Sequence, residues 1–344
     1  MTAKLRPSRG APYARILGVG GYRPVRVVPN EEILKHIDSS DEWIRSRSGI
    51  VTRHWAGEGE TVVEMAVAAS GKAIAAAGIA AEQIDAVVVS TVSHFMQTPS
   101  AATEIAHRIG AGKPAAFDIS AACAGFGYGL TVGKGLITDG TAGHVLVIGV
   151  ERLSDLTDPE DRSTAFLFGD GAGAVVLGPS DEPSMGPSVW GSEGDKANVI
   201  EQTVPWDRFR IGDLSDLPVD SAGQVKFPAL RQEGQTVFRW AVFEMAKVAQ
   251  QALDAAGITA DDLDVFIPHQ ANMRIIDSMV KTLKLPEHVA VARDIETTGN
   301  TSAASIPLAM ERMLATGQAK SGDTALVIGF GAGLVYAATV VTLP

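Results

Sequence analysis

A single cysteine, Cys123, is the chain's one thiol nucleophile. It follows the apolar run AAFDIS and sits within AACAGFGYGL, a pattern that places it at a strand-to-helix turn. The free N–H groups and positive dipole end of a helix N-terminus favour thiolate at such a position. A small buried core thiol is the other reading open to a lone cysteine. His269 ends the strand pattern DVFIP and precedes QAN, and Asn300 lies at a turn in TTGNTSAAS before a second helix. Taken singly, a histidine can be a satisfied structural group and Gly-Asn a plain turn. Together the three residues end strands, where α/β folds place their ligands. Asn300 occupies roughly the repeat-equivalent place of Cys123, so the set reads as one site.

Other motifs narrow the chemistry. GDGAG (169–173) and GFGAG (329–333) are each followed by a β-branched run and not a helix, so neither is a dinucleotide fingerprint. Such turns can aim backbone N–H groups at an oxyanion. The seven histidines show no H-x-x-x-H or H-E-x-x-H spacing, and there is no P-loop or G-x-S-x-G. After His269 a helix runs through NMRIIDSMVKTLK. Met273, Ile276, Val280 and Leu283 form its apolar stripe, with Arg274 and Lys281 on the other face. Those two cations either flank an opening beside His269 or form a solvated face, with Arg274 paired to Asp277 or Ser278.

The elements that position these residues look duplicated. AAAGIAAEQIDAVVVS (75–90) resembles DAAGITADDLDVFIPH (254–269), LVIG recurs at 146–149 and 326–329, and FDIS (117–120) resembles RDIE (293–296). Strands with little alternation, separated by helices, indicate parallel sheets covered on both faces. Gly125, Gly127, Gly129, Gly133 and Gly135 fall within a helical segment, where each costs roughly 1 kcal/mol unless close packing requires it. A crossover between halves falls at PSDEPSMGPSVWGSEG, near Gly178 to Gly194.

At 344 residues the chain is long enough for about two domains. Hydrophobic residues at 46% and charged residues at 20% exclude global disorder. With 29 basic and 40 acidic residues the net charge is −11, which argues against broad nucleic-acid or anionic-membrane binding but leaves room for a local basic patch. One cysteine excludes an internal disulfide framework or Cys-based zinc site and points to a reducing compartment. The start has basic residues without an apolar run, unlike a secretory signal. The uncharged stretch Thr324 to Leu343 is broken by G-x-G-x-G and suits two buried strands better than a membrane span.

With these motifs in place, the chain resembles the β-ketoacyl-acyl carrier protein synthase III family, the initiating condensing enzymes of type II fatty acid synthesis in the thiolase superfamily. The resemblance is carried by SSDEWIRSRSGI (39–50), SAACAGFGYGL (120–130), ERLSDLTDPEDRSTAFLFGDGAGAVVL (151–177), PHQANMRII (268–276), TTGNTSAASIP (297–307) and GFGAG (329–333). It implies an α/β, thiolase-like five-layered αβαβα homodimer built from two duplicated halves. Residues 1–178 would carry the nucleophile, and residues 179–344 the histidine and asparagine. Cys123 would be acylated by an acyl-CoA primer. His269 and Asn300 would bind the thioester of malonyl-acyl carrier protein and stabilise the enolate formed on loss of CO₂, giving 3-oxoacyl-carrier protein. The backbone N–H groups of Cys123 and Ala332 would hold the oxyanion, although many relatives carry glycine where this chain has Ala332.

For CoA, the resemblance assigns adenine stacking to Trp43 and Arg162, phosphates to Arg47 with Ser39 nearby, and the pantetheine tunnel to Phe238 and Asn272. Arg239, Arg274 and Lys281 would meet the acidic carrier protein. The residue before Pro99, Thr98, preceded by Gln97, would reach across the dimer to the end of the acyl pocket. No metal or redox cofactor is implied, CoA thioester being a substrate. A cytoplasmic location follows, with no nucleic-acid or membrane partner. Two alternatives share the scaffold: an acyl-CoA-dependent O/N-acyltransferase, against which His269 and Asn300 argue, and a non-catalytic partner subunit, against which Cys123 argues.

Overall fold

The computed structural model describes residues 5–208, 217, 219–220 and 223–344. The first part of the chain runs β1 (Tyr13–Tyr22), β2 (Arg26–Pro29), α1 (Asn30–Ile33), α2 (Asp41–Ser48), β3 (Thr52–Trp55), α3 (Val62–Ala77), β4 (Ala86–Ser90), α4 (Ala101–Arg108), β5 (Ala115–Ile119), α5 (Gly125–Asp139), β6 (Val145–Arg152) and β7 (Asp170–Ser180). It continues with β8 (Val189–Ser192), β9 (Ile200–Gln202), β10 (Leu230–Gln232), α6 (Gly234–Ala256), β11 (Val265–Pro268), α7 (Met273–Leu283), β12 (Ala290–Val291), α8 (Ile295–Thr298), α9 (Ser305–Thr316), β13 (Thr324–Gly331) and β14 (Val335–Thr342). Helix limits follow local chemistry. Ser40 and Thr61 cap α2 and α3 by accepting from Trp43 and Glu64 N–H, and left-handed glycines at 49, 78 and 140 end α2, α3 and α5.

Two five-stranded sheets share one topology: β1-β7-β6-β4-β5 and β8-β14-β13-β11-β12. In each, two neighbouring pairs are parallel and two antiparallel, so the expectation of purely parallel sheets is corrected. The reason is plain at β13 and β14, where a three-residue turn between Gly331 and Val335 can join only antiparallel neighbours. That hairpin also accounts for the uncharged stretch 324–343. Among the described residues no helix is long and apolar enough to cross a membrane.

Three apolar clusters define five layers. Helices α3 and α4 cover one face of the first sheet. Helices α5 and α9 lie between the two sheets, and α6 and α7 cover the outer face of the second. The order is αβαβα, as the resemblance implies. The middle layer explains the glycines of α5. A Cβ at Gly127 would lie 2.8 Å from that of Ala337 on β14, and one at Gly129 2.7 Å from Val147 on β6. The helix is thus pressed between both sheets, while Gly135 faces open space.

The duplication is geometric as well as sequential. Both middle helices are entered through a 3₁₀ turn, Ala122–Ala124 before α5 and Ser302–Ala304 before α9. Each turn opens on a non-glycine residue at positive φ, +44° at Ala122 and +47° at Ser302. Gly149 packs against Ala303 O as Gly329 packs against Cys123 O. The structural counterpart of Cys123 is therefore Ala303, three residues beyond Asn300, which corrects the looser equivalence read from sequence. The strand expected before Asn300 is also shorter than its pattern: β12 stops at Val291, and TTG belongs to the end of α8.

Overpacking by an isopropyl group between fixed sheets costs roughly 1–3 kcal/mol, whereas removing an exposed helical glycine gains about 0.5–1 kcal/mol. Gly127→Val should therefore lower, and Gly135→Ala raise, the stability measured by urea unfolding.

Candidate active site

A cavity of about 820 Å³ opens beyond the C-terminal strand ends and brings Cys123, His269 and Asn300 to one space. Cys123 lies four residues past β5, on the strained turn that leads into α5. That turn is seated on β13. A Cβ at Gly331 would stand 2.9 Å from the Cys123 N and 3.0 Å from its Sγ. Only glycine lets the GFGAG strand end approach Cys123 this closely. The next residue, Ala332, also lines the cavity.

His269 directly follows β11 and is 2% exposed. Its N–H donates to Ile328 O at 2.7 Å, which ties it to β13, and its ring stands edge-on to Phe330 at 5.3 Å. Nδ1 lies 2.7 Å from Ser305 Oγ at the start of α9. Burial drives the imidazole down to about 3, so the ring is neutral at working pH. Asn300 is gripped through its backbone by the FLFG segment: its N–H donates to Leu167 O at 2.9 Å, and its carbonyl accepts from Gly169 N–H at 3.0 Å. Its Oδ1 accepts from Ser302 N–H at 2.9 Å. Nδ2 has no hydrogen-bond partner among the described residues and is free to donate into the cavity.

The thiol behaves differently from the sequence expectation. Cys123 is half-buried, and desolvation pushes it up to about 12, opposed by the nearby Ser302 hydroxyl and aided by the charge of Glu151. Burial outweighs the helix N-terminus, so the free thiol stays protonated.

The remaining predicted residues divide into two groups. Trp43, Arg47, Phe238, Arg239, Asn272 and Arg274 line the same cavity. Asn272 caps α7 and donates from Nδ2 to Arg47 O at 2.9 Å, joining α2 to α7. The Arg162 guanidinium lies over Trp43, 5.3 Å from its ring centre, though Arg162 does not line the cavity. Ser39 and Lys281 lie outside the lining, and the buried Ser39 Oγ has no partner among the described residues. Gln97 and Thr98 sit on an exposed loop, away from this chain's own cavity. The stripe of α7 is rotated from expectation: Ile275, Ile276, Met279 and Leu283 are buried. Asp277 pairs with Arg293 at 2.7 Å, leaving Arg274 stacked on Phe238 at 4.8 Å.

Sequence reasoning missed Ser305, Ser302 and Glu151. No spacing links a serine to a histidine 36 residues away. Glu151 left a trace, a lone acid closing the apolar run LVIGV, and that run is buried throughout. Among the described residues no group of three or more His, Cys, Asp or Glu could hold a metal ion.

Residues 117–194 match the family described as 3-Oxoacyl-[acyl-carrier-protein (ACP)] synthase III, and residues 253–343 match its C-terminal region. The chain is 81% identical, over 342 residues, to the Beta-ketoacyl-[acyl-carrier-protein] synthase III 1 of Streptomyces coelicolor, covering 99% of this chain and 100% of that one. The chain belongs to the β-ketoacyl-[acyl-carrier-protein] synthase III family. Its fold superposes on the priming β-ketosynthase of the R1128 polyketide biosynthetic pathway with a TM-score of 0.92 at 46% identity, covering 100% and 99% of the two chains. The 3-oxoacyl-[acyl-carrier-protein] synthase III of Aquifex aeolicus VF5 matches with a TM-score of 0.84 at 37% identity, over 96% and 99%. As a synthase III, the protein is an acyl-transferring condensing enzyme that initiates fatty acid synthesis.

Two titrations follow from the burial of this synthase III site. Alkylation of Cys123 by iodoacetamide should keep accelerating above about pH 9, where an ordinary thiol levels off; a plateau near 8.5 would show a water-like thiol. The ¹⁵N signals of His269 should show no protonation between about pH 5 and 8.

Proposed function

We propose that Cys123, His269 and Asn300 divide the condensation between them, Cys123 taking the acyl group and the other two acting on the malonyl thioester. The observation that carries this is the free Asn300 Nδ2 beside a neutral His269 in the cavity that holds the only thiol.

In the first half-reaction the Cys123 sulfur attacks the acyl-CoA carbonyl. The developing oxyanion is met by the N–H groups of Cys123 and Ala332, CoA leaves, and the thiol proton ends on its sulfur. The departing CoA sulfur is itself the acceptor for that proton, so loading does not draw on His269. With the Ser305 hydroxyl donating to Nδ1, His269 Nε2 carries the hydrogen and is a neutral donor for the second half-reaction.

In the second half-reaction the malonyl C–C bond breaks, CO₂ leaves, and the electron pair becomes an enolate. Its oxygen receives hydrogen bonds from His269 Nε2 and Asn300 Nδ2. The enolate carbon then attacks the acyl-cysteine carbonyl, the new C–C bond forms as the acyl C–S bond breaks, and the expelled Cys123 thiolate takes a proton from water to return to the thiol. Neutral donors fixed in place stabilise charge only as it develops.

Acyl-CoA and a malonyl-carrier protein are the substrates this reading requires. For CoA, Trp43 and Arg162 supply a flat pair for adenine, Arg47 and Ser39 lie at the phosphates, and Phe238 and Asn272 line the tunnel. Arg239, Arg274 and Lys281 form no ion pair among the described residues, which suits an acidic carrier protein on a net-acidic enzyme. We read the chain as two halves, 1–178 and 179–344, assembled as a homodimer. Exposed Phe95 and Met96 on the loop before Thr98 support a covering partner there. A thiol that must stay reduced supports the cytoplasm. Neither half-reaction as written calls on a metal or redox group.

Cys123→Ala should form no acyl-enzyme by intact mass after acyl-CoA treatment. His269→Ala and Asn300→Ala should still load acyl groups yet release CO₂ from malonyl-carrier protein roughly 10²–10³-fold more slowly. Wild-type CO₂ release by either variant would end this division of labour.

The loop before Pro99 generates a second prediction. If Thr98 closes the partner's acyl pocket, its small side chain leaves room for branched primers, with discrimination of about tenfold to a few hundredfold. Thr98→Phe should raise kcat/KM for acetyl-CoA relative to isobutyryl-CoA. An unchanged ratio would remove Thr98 from the pocket.

A further inference from the structure

Glu151 is fully buried at the C-terminal end of β6, and neither half-reaction above uses it. Its carboxylate accepts from donors on two separate segments. On the segment after β4, Val92 N–H reaches Oε2 at 3.1 Å, Ser93 Oγ at 2.6 Å and Thr91 Oγ1 at 3.3 Å. On the turn before α9, Ser302 Oγ donates to Oε1 at 3.3 Å. Ser302 is the residue at positive φ whose N–H holds Asn300 Oδ1. The turn that aims the Asn300 amide is therefore strained, and this bond ties it to the opposite half of the molecule.

We propose that Glu151 is a positioning residue for the condensation, its carboxylate locking the Ser302 turn, and through it the Asn300 amide, to the Thr91–Ser93 segment. A carboxylate suits this place because it only accepts, at two oxygens, and every neighbour bonded to it donates. Glutamine would turn an NH₂ toward one of those donors. The proposal rests on the reading of Asn300 as a donor to the enolate.

The same carboxylate faces the nucleophile's turn. Cys123 is the titratable group whose ionisation its charge opposes. Segments 91–93 and 300–302 carry no titratable side chain. Arg152, next on β6, turns to Asp155 at 3.0 Å and acts on Glu60. Removing the charge should thus move the two half-reactions in opposite senses, with Cys123 ionising more readily while Asn300 loses its aim.

The test uses the full chain with Glu151→Gln. Acyl-CoA should still load Cys123 by intact mass, and the pH profile of Cys123 alkylation by iodoacetamide should move to lower pH. The kcat for CO₂ release from malonyl-carrier protein should fall roughly ten- to a hundredfold, with KM little changed. Glu151→Asp, which keeps an acceptor-only charge, should recover part of that kcat. If Glu151→Gln does not fold, Ser302→Ala leaves the carboxylate its other donors and should lower CO₂ release in the same direction. Wild-type CO₂ release by the variant that folds would overturn the proposal. So would equal losses in loading and CO₂ release by Glu151→Gln with an unmoved alkylation profile. If the unmodified protein itself releases no CO₂ from malonyl-carrier protein, the proposed function fails instead, and the two failures are distinguishable.

Discussion

The site exists because two halves of one chain approach each other more closely than a side chain allows. At Gly329 an added Cβ would lie 2.8 Å from Cys123 O, and at Gly149 one would lie 2.1 Å from Ala303 O. These two backbone-to-backbone contacts are related by the duplication, and they press the turns before α5 and α9 onto the opposite sheets. The positive φ at Ala122 and Ser302 is the conformation each turn must take to enter its helix from that seat, at a cost of roughly 1–3 kcal/mol apiece. The packing of the middle helices between both sheets, including Gly127 on β14 and Gly129 on β6, holds that conformation in place.

Burial at this seam sets the electrostatics. The thiol and the Glu151 carboxyl are pushed up and the His269 imidazole down, so each moves toward its neutral form. A protonated thiol and a neutral imidazole place no charge of their own beside the Asn300 amide, whose free N–H is left for charge that develops during reaction. The same shifts pull stability in opposite directions with pH. His269, lowered from 6.5 to about 3, contributes stability above its unfolded value that is lost as pH falls through that window. Glu151, raised from 4.5 to about 7, contributes stability below 4.5 that is lost as pH rises toward 7. No pH satisfies both groups fully, and the window between 4.5 and 6.5 holds the compromise.

Much of this was legible in the residues. Matching runs 75–90 and 254–269 carried the duplication, the strand ends carried Cys123 and His269, and the glycines of α5 carried its burial. The direction of the thiol shift was not legible, because desolvation depends on what packs round a turn and not on the turn itself. The antiparallel strands were missed because buried strands read as apolar runs whichever way they point. Ser305 and Glu151 act across 36 and 151 positions, on His269 and Ser302 respectively, and no local pattern encodes such contacts.

The duplication also shows how two copies of one topology came to carry different residues at matching places. The matching runs set His269 against Ser90, and the turns set Ser305 against Gly125. In the second half the histidine needs a hydroxyl on Nδ1, and Ser305 provides it at 2.7 Å. In the first half a Cβ at Gly125 would fall 1.7 Å from Ser90 Oγ, so one small hydroxyl fills the room that the pair occupies opposite. Among the described residues Ser90 Oγ is left buried without a partner, a cost the first half bears. What that half keeps is the place at 123, where a thiol stands against Ala303 in its twin. Cys123 and the pair His269 and Asn300 thus occupy non-equivalent positions in the two copies. Both reach a single cavity because the glycine contacts bring the two turns together.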